Sequence, residues 1–318
     1  MKTFSIVVPV YQNELNLPTT LPHYVEFARN LEGYEVELIC VDDGSTDGSL
    51  GILLRFQEEN PDIMRVVKLT RNFGQYNALM AGFAVSTGDA VAQITADMQD
   101  PIELFEPMLA EWESGNKIVI GERQKREDTG GSVSMSKLFN RLVNRMIDPR
   151  FPKEGFDLFL LDREVADKAV EIDEKNSSMQ LVILWLGYDF ASVPYVRKQR
   201  SLGRSSWTFW KKAKRVIDTF VTNSYKPIRA VSFLGSLFAF IATAYAVYRV
   251  LLWLFTGYAG EVQGWTSIAV LISFFSGLIL FSLGIIGEYM WRIFDNTKRR
   301  PLFVIDEIYG PRGSDDRR

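Results

Sequence analysis

Polar and aromatic side chains that suit nucleotide binding follow short apolar runs near the N-terminus. Tyr11 comes directly after the run 4–10, and Asp42 closes the run 36–42. A tyrosine ring can stack on a nucleobase, and a carboxylate can accept a hydrogen bond from a base or a ribose hydroxyl. The sequence GST at 44–46 is typical of a tight turn and a helix cap. These positions predict a nucleoside-binding site.

The residue counts exclude several kinds of catalytic centre. The chain has 318 residues, with one histidine, His23, and one cysteine, Cys40. Ser-His-Asp and Cys-His catalysis and histidine-rich zinc sites therefore lack the side chains that they need. Cys40 lies inside an apolar run, so we expect a buried thiol that packs as a small hydrophobic group. A single cysteine forms no intramolecular disulfide, which fits a reducing compartment.

The charge pattern gives no sign of a nucleic-acid partner. The formal net charge is −3, and no basic tract resembles a nucleic-acid-binding arm. The first residues, MKTF, lead directly into a strand-like run without a signal peptide. We therefore expect the N-terminal domain to remain in the cytoplasm.

Apolar runs alternate with amphipathic segments in the first part of the chain. The predicted strands are 4–10, 36–42, 64–69, 90–95 and 117–121, and the predicted helices lie near 15–31, 46–59, 75–86 and 101–114. This alternation favours βαβ units and a mostly parallel sheet. Ligands of such sheets bind beyond the carboxyl ends of the strands, so we expect the polar residues there to gather in one crevice. These residues are Tyr11, Asp42, Asp43, Arg71, Asn72 and Asp97.

Two long apolar segments follow the mixed α/β sequence. Residues 231–255 carry Arg249 as their only charge, and residues 266–287 carry none. Each segment exceeds the about 20 residues that a helix needs to cross a bilayer. The loop between them lacks Lys and Arg, whereas basic residues flank both outer ends. The positive-inside rule therefore predicts a two-helix transmembrane hairpin with both termini in the cytoplasm.

Further segments bear on the membrane and on assembly. Residues 207–220 mix aromatic and basic side chains, which favours an amphipathic helix in the membrane interface, a solvated helix being the alternative. Small residues recur in both apolar segments and would allow helices to pack closely. Residues 301–308 look like an isolated strand without a partner in the chain. We therefore expect this strand to pair with another subunit in a homo-oligomer.

Five short strings occur in order along the chain: VPVYQNE at 8–14, VDDGSTD at 41–47, TRNFG at 70–74, GD at 88–89 and ADMQDP at 96–101. Together with the apolar hairpin they resemble the GT-A glycosyltransferases of the large inverting family. Within that family the chain is most similar to the polyprenyl-phosphate glycosyltransferases, which include dolichol-phosphate mannose synthases and bactoprenol glucosyltransferases. The bactoprenol type matches best. The resemblance covers nearly the whole chain, and its specificity comes from five strings and two apolar segments in order.

The resemblance implies an α/β, Rossmann-like GT-A domain over residues 1–205. An interfacial helix region at 206–230, two transmembrane helices within 231–291 and a cytoplasmic tail with a short strand at 292–318 complete the expected organisation. The protein is then expected to be an integral protein of the cytoplasmic membrane, with its catalytic domain on the cytoplasmic side.

The resemblance also implies a reaction and a donor site. A hexose, with glucose from UDP-glucose as the preferred donor, passes to polyprenyl (undecaprenyl) phosphate with inversion, which produces a β-linked lipid phosphate sugar. The donor-binding residues carried over from the motifs are Pro9, Tyr11, Glu14, Asp42, Asp43, Arg71, Asn72, Ala96 and Asp97. Ser45 and Asp47 are equally well explained as turn and cap residues.

Similar enzymes hold a divalent cation with an Asp-x-Asp pair, and here the first position of that pair is Thr95. One carboxylate remains, Asp97, which we expect to bind Mg²⁺ or Mn²⁺ with Gln99 and with oxygens of the donor diphosphate. Such a cation neutralises charge on the departing nucleoside diphosphate. Asp100, which precedes Pro101, is interpreted instead as the cap of the next helix.

Basic residues are the expected contacts of the acceptor phosphate or the diphosphate. Arg123 and Arg126 follow the last predicted strand, where similar enzymes have a mobile acceptor loop. Arg200 and Lys211 precede the first apolar segment. A guanidinium group offers a planar bidentate fork to a phosphate, although a plain surface charge is the alternative for each residue.

Asp157 is the candidate catalytic base, because similar enzymes have an aspartate near the acceptor at the corresponding place. Phe159 stands where they have an arginine. A phosphate acceptor is already largely ionised at neutral pH, so a role for Asp157 in orienting the acceptor or the metal is the alternative. Asp162 and Arg163 are interpreted as a surface pair or a helix start.

Two other functions fit parts of the sequence. A processive polysaccharide synthase uses the same nucleotide fold, but the chain has only two apolar segments and no Gln-x-x-Arg-Trp string. A non-catalytic membrane scaffold derived from a transferase is consistent with Thr95 and Phe159 at motif positions. Metal-dependent hydrolysis of a nucleotide-sugar would separate an enzyme from a scaffold.

Overall fold

A computed structural model provides the structure. It describes residues 1–126, 140–145, 147–152, 155–172, 174, 178–197, 226–256, 265–298 and 300–310. The chain divides into two compact units, Met1–Val216 with Arg300–Arg318, and Ile217–Arg299.

The first unit is an α/β domain built on one sheet. Its strands are β1 (Lys2–Val10), β2 (Tyr34–Asp42), β3 (Met64–Leu69), β4 (Ala90–Gln93), β5 (Ile118–Arg126), β6 (Phe159–Asp162), β7 (Ala191–Arg197) and β8 (Ile305–Tyr309). Its helices are α1 (Leu17–Asn30), α2 (Ser49–Glu59), α3 (Gln75–Val85), α4 (Phe105–Glu113), α5 (Arg163–Glu171) and α6 (Met179–Trp185), with a 3-10 turn at Ile102–Leu104 before α4.

The sheet has the strand order β7-β5-β6-β4-β1-β2-β3-β8. β1 is parallel to β2 and β4, and β2 is parallel to β3, whereas β6 and β8 run antiparallel to their neighbours. The carboxyl ends of β1, β2, β3 and β4 therefore meet at one edge. This arrangement confirms the predicted α/β class and the mostly parallel sheet.

Helices cover both faces of the central strands, so these strands are apolar on both sides. Phe4, Ile6 and Val8 of β1 pack in one cluster with Leu17 and Leu21 of α1. On the other face α3 approaches β1 and β2 at Gly82, where an added Cβ would overlap Val7 and lie 3.1 Å from Val41 Cγ2. Burial of residues 4–8 of β1 and 38–42 of β2 explains why these parts of the two strands are mostly apolar.

The predicted elements agree closely with the structure in the N-terminal part. The predicted strand 64–69 coincides with β3, and the predicted helix 75–86 coincides with α3 to within one residue. Cys40 is fully buried, and burial raises the pKa of its thiol to about 12. The expectation of a buried thiol that packs as a small hydrophobic group is therefore confirmed.

β5 is longer than the sequence predicted. The strand predicted at 117–121 continues to Arg126 and pairs in parallel with β7. Glu122, Arg123 and Arg126 therefore lie within a strand and not in a loop after it. The sequence of this segment is charged, and its extended structure comes from pairing with β7, a strand distant in the sequence.

The C-terminal strand has a partner in its own chain. β8 pairs antiparallel with β3, so that Val66 faces Tyr309, and Thr70 N–H donates to the Val304 carbonyl at 3.1 Å. Lys68 Nζ and Asp306 form an ion pair at 2.6 Å beside them. The expectation that 301–308 lacks an intrachain partner is wrong, because this segment covers the outer edge of β3. The strand therefore lends no support to a homo-oligomer.

The second unit contains two long helices, α7 (Lys226–Thr256) and α8 (Trp265–Thr297). They contact each other where the Phe238 ring packs edge-on against Phe274, with 5.8 Å between ring centroids. Among the described residues, one helical stretch, Phe274–Thr297, is long and apolar enough to cross a membrane, and α7 contributes a shorter apolar stretch. The predicted hairpin thus stays a prediction, and the predicted interfacial helix falls mostly on residues outside those described.

The close packing at Gly82 should make the free energy of unfolding sensitive to a substitution there. Gly82→Ala should lower the free energy of unfolding by about 1–3 kcal/mol, because the added methyl group overlaps Val7 in a packed core. Gly51→Ala, in α2 with open space around the added Cβ, should raise it by roughly 0.5–1 kcal/mol through helix propensity. Denaturant titration of the detergent-solubilised protein, followed by tryptophan fluorescence, measures both. Equal effects of the two variants would contradict close packing of α3 on β1.

Candidate active site

The loops after β2 and β3 touch through their backbones. Gly44 has φ +67°, and a Cβ on it would lie 2.5 Å from the carbonyl carbon of Arg71 and 2.6 Å from the nitrogen of Asn72. Only glycine accommodates both the positive φ and this approach. Gly44 therefore allows Arg71 and Asn72 to lie directly against the turn that follows Asp42 and Asp43.

Asp43 holds these two loops together. Its carboxylate accepts hydrogen bonds from the backbone N–H groups of Phe73, at 2.7 Å, and Gly74, at 2.9 Å. These groups lead into the N-terminus of α3, where a carboxylate also stabilises the helix dipole. Burial raises the pKa of Asp43, and the two N–H groups partly oppose that shift. Asp43 is a structural acceptor in this state of the site.

Asp42 has one buried oxygen atom without a hydrogen-bond partner among the described residues. Its Oδ2 accepts from the Ser45 N–H at 3.3 Å, but its Oδ1 is buried and has no hydrogen-bond partner among the described residues. Burial raises the pKa of this carboxyl group. A buried acceptor without a partner costs free energy that a bound donor group can recover.

The loop after β1 lies against the same turn. Gln12 N–H donates to Ser45 Oγ at 3.1 Å, and Glu14 Oε2 accepts from the Gly48 N–H at 3.0 Å. Tyr11, between them and the end of β1, is 43% exposed. Tyr11 follows Val10, the register partner of Asp42, so the exposed tyrosine and Asp42 lie at the same sheet edge, as the sequence predicted.

In the loop after β3, the Arg71 guanidinium lies over the Phe73 ring, with 3.9 Å from Cζ to the ring centroid. Asp47 Oδ1 accepts from the Ser49 N–H at 3.1 Å at the start of α2, so its interpretation as a turn residue at a helix start agrees with the structure. Ser45 serves as the acceptor for Gln12.

The loop after β4 presents Asp97. Thr95 Oγ1 donates to Asp97 Oδ1 at 2.7 Å, and the Gln99 N–H donates to the same oxygen at 3.3 Å. Helix α1 also contacts this loop, because Tyr24 Oη donates a hydrogen bond to the Thr95 carbonyl at 2.7 Å. Thr95 occupies the first position of the Asp-x-Asp motif and orients the carboxylate at the second.

The donor set for a divalent cation is small. No three His, Cys, Asp or Glu side chains come together as a metal site within the residues that the structure describes. Asp97 is a hard oxygen donor at the sheet edge and is 8% exposed. A magnesium-type ion fits here only if a bound ligand supplies further oxygens, as phosphate groups commonly do.

A buried polar network lies beside the Asp97 loop. Asp157 forms an ion pair with Arg123, and the Gln93 side chain donates to the Asp157 backbone carbonyl. Tyr195 Oη accepts from Arg123 Nε at 3.4 Å and donates to Asp100 Oδ1 at 2.6 Å. The interpretation of Asp100 as a helix cap is wrong, because its carboxylate is buried and faces Tyr195. Sequence reasoning missed Gln93 and Tyr195, which carry no motif signal.

The remaining residues named in the sequence analysis lie in several different places. Arg126 lies in β5, while Arg200 and Lys211 fall on residues that the structure does not describe. Phe159 is fully buried in β6 and packs edge-on against Phe83, so it belongs to the core. Asp162 caps α5 by accepting from the Glu164 N–H, which agrees with a helix start.

The two hydrogen bonds that the Asp43 carboxylate accepts should stabilise the protein and protect the Phe73 and Gly74 amides from exchange. Asp43→Asn replaces one acceptor oxygen by an NH₂ group that faces a backbone N–H. It should lower the free energy of unfolding by about 1–3 kcal/mol and speed amide exchange at Phe73 and Gly74. Asp62→Asn, at an exposed surface ion pair with Arg29, should cost less than about 1 kcal/mol. Unchanged exchange in the Asp43 variant would contradict the proposed link between the loops.

Comparison with known proteins agrees with this arrangement. Residues 5–169 match the family model described as glycosyl transferase family 2. The chain is 36% identical over 309 residues to the uncharacterized glycosyltransferase YkcC of Bacillus subtilis, covering 96% of this chain and 94% of that protein. It is 31% identical over 305 residues to the prophage bactoprenol glucosyl transferase homolog of Escherichia coli, covering 96% and 98%.

A solved structure has a similar fold. The mannosyltransferase PcManGT from Pyrobaculum calidifontis, in complex with GDP-Man and Mn²⁺, superimposes with a TM-score of 0.50 at 16% identity, covering 91% of this chain and 87% of that one. The predicted GT-A fold and the resemblance to bactoprenol glucosyltransferases are thereby confirmed. The chain belongs to glycosyl transferase family 2.

Proposed function

We propose that the protein transfers glucose from UDP-glucose to undecaprenyl phosphate, with inversion, at the cytoplasmic face of a membrane. The observation that carries the proposal is similarity to bactoprenol glucosyl transferases over 95–96% of this chain, well beyond the family match that ends at residue 169. Those relatives are named for a glucosyl group and a lipid carrier. An apolar helical stretch at Phe274–Thr297 suits a protein whose acceptor is held in a bilayer.

The donor nucleoside binds at the edge formed by β1 and β2 in this proposal. The exposed Tyr11 ring stacks on the base, and Asp42 Oδ1 accepts from the base or the ribose. Pro9 and Glu14 shape the first loop, and Asp43 keeps Arg71 and Asn72 in place for the donor. Ala96 and Asp97 complete the donor site on the β4 side.

Asp97 would hold Mg²⁺ or Mn²⁺ together with Gln99 and oxygens of the donor diphosphate. The bound cation supplies charge neutralisation for the departing diphosphate. The single carboxylate fits this role because Thr95 and the Gln99 N–H already orient it. The Mn²⁺ found with PcManGT is consistent with such a site.

The acceptor phosphate is bound by Arg123, Arg126, Arg200 and Lys211 in this proposal. The ion pair between Asp157 and Arg123 favours an orienting role for Asp157 over that of a base. A carboxylate already paired with a guanidinium is a weak proton acceptor, and a phosphate acceptor needs little deprotonation at neutral pH.

The proposed chemical step is a single in-line displacement. A phosphate oxygen of the lipid forms a bond to the anomeric carbon while the bond from that carbon to the diphosphate oxygen breaks. The electron pair of the broken bond leaves with UDP, and the α-linked sugar becomes β-linked. Positioning of two bound reactants accounts for much of the rate of such a step.

The first test is transfer of labelled glucose from UDP-glucose to undecaprenyl phosphate in detergent with Mg²⁺. The wild-type protein should form a lipid-linked sugar whose β configuration is visible by NMR, and EDTA should abolish its formation. Asp97→Asn should reduce the rate by about 10²-fold or more, because charge on the leaving group loses its main stabilisation.

Asp167→Asn is the matched control, since Asp167 lies on the surface of α5 in an exposed ion pair with Arg163. Its transfer rate should equal that of the wild type. Absence of any lipid-linked product from UDP- and GDP-sugars with the wild-type protein would overturn the proposal and favour the scaffold.

The hydrogen bond from Thr95 to Asp97 predicts a change in metal dependence. Thr95→Val keeps the shape of the side chain but removes the hydroxyl donor, so the Mg²⁺ concentration for half-maximal transfer should rise about 10-fold or more. Thr87→Val, which removes a hydroxyl bonded to Glu37 away from the site, should leave it unchanged. An identical Mg²⁺ dependence in Thr95→Val would contradict a role for the Thr95 hydroxyl in orienting Asp97 toward the metal.

A further inference from the structure

One buried hydroxyl group connects two parts of the candidate site. Tyr195 Oη donates to Asp100 Oδ1 at 2.6 Å and accepts from Arg123 Nε at 3.4 Å. Tyr195, Asp100 and Arg123 are each no more than 6% exposed. Asp100 belongs to the loop that presents Asp97, whereas Arg123 forms an ion pair with Asp157. The hydroxyl therefore lies between the proposed donor side and the proposed acceptor side.

The strands fix the place of this hydroxyl. Arg123 in β5 and Tyr195 in β7 are register partners in the parallel pairing of the two strands. Gly121 leaves space for the ring, since a Cβ on it would lie only 3.2 Å from Tyr195 Cε1. The tyrosine thus reaches Asp100 from a strand, which is more rigid than a loop. Burial, together with the Asp100 carboxylate, raises the pKa of Tyr195, so the hydroxyl keeps its proton.

The Asp97 loop needs such support because its backbone is strained. Met98, between Asp97 and Asp100, has φ +55°, which a non-glycine residue adopts only where its surroundings impose it. Thr20 and Tyr24 of α1 hold the start of this loop by donating to the carbonyls of Ala96 and Thr95. The bond from Tyr195 to Asp100 holds its end.

On the other side, the Asp157 segment is held by two buried groups. Arg123 pairs with its carboxylate, and Gln93 donates to its backbone carbonyl. Gln93 ends β4, directly before the loop that carries Asp97. Displacement of Arg123 would therefore be transmitted to Asp157 through the ion pair.

We propose that Tyr195 is a positioning residue whose hydroxyl group couples the Asp97 loop to the Arg123–Asp157 ion pair. The proposal rests on the proposed function, because it assigns donor and acceptor roles to the two sides. Loss of the hydroxyl leaves Asp100 and Arg123 without their shared partner, so both sides shift. The donor still binds through the loops after β1 and β2, and the loss falls on the rate of transfer.

The test compares three Tyr→Phe variants of the full-length protein. Tyr195→Phe should lower kcat about 10- to 100-fold, as expected for misplaced reacting groups, with the KM for UDP-glucose changed much less. Tyr24→Phe loosens only the start of the Asp97 loop. Tyr188→Phe removes an exposed hydroxyl bonded to Glu164 and should leave both parameters unchanged.

Amide exchange followed by mass spectrometry provides a readout that does not depend on activity. Tyr195→Phe should speed exchange in two segments, 96–100 and 156–158, whereas Tyr24→Phe should speed it only in the first. A wild-type kcat in Tyr195→Phe, or faster exchange in one segment alone, would overturn the coupling. If the wild-type protein transfers no sugar but both segments respond, the proposed function fails and the coupling stands.

A second variant covers the case in which Tyr195→Phe does not fold. Gly121→Ala keeps the hydroxyl but pushes the ring by a few tenths of an ångström. The same Cβ would also lie 3.2 Å from Leu158 Cβ, so the diagnostic segment for this variant is 96–100. Exchange there should be faster, and unchanged exchange there in a folded Gly121→Ala protein would contradict the coupling.

Discussion

The parallel alignment of β1 with β2 and β4, and of β2 with β3, is the constraint on which the candidate site depends. Parallel strands that end together bring their following loops to one edge, although these loops are far apart in the sequence. The loops then make contact through backbone atoms, and Gly44 is the residue that permits the closest approach. The loops of the proposed donor site meet because of that alignment.

Hydrogen bonds to buried carboxylates fix the loops of the candidate site. Asp43 accepts from two N–H groups, Asp97 from a hydroxyl and an N–H, and Asp100 from Tyr195. A buried carboxylate without such donors costs several kcal/mol, so each of these groups is a strong constraint on its loop. Asp42 Oδ1 differs, because it lacks a partner among the described residues. In the proposed function this atom accepts a hydrogen bond from the donor nucleoside.

Patterns within short stretches of the sequence predicted individual strands and helices. An apolar run bounded by turn residues predicted β3 within its observed bounds, and the alternation of strand-like and helix-like segments predicted α3 to within one residue. Pairing between distant segments was not predictable in the same way. The sequence predicted a strand at 301–308 but not its partner, and the place of β8 beside β3 follows from the open edge of that strand. The extension of β5 to Arg126 likewise depends on β7.

The sequence by itself determined the family, the sheet edge where the polar residues gather, and the apolar character of the C-terminal segments. These properties follow from residue type and from spacing over short stretches of the sequence, both of which can be read without the structure. Only the tertiary structure decided that Asp43 is a loop acceptor, that Asp100 faces Tyr195 and that Arg123 pairs with Asp157. The physical reason is that a side chain with several possible partners takes the one that folding buries beside it.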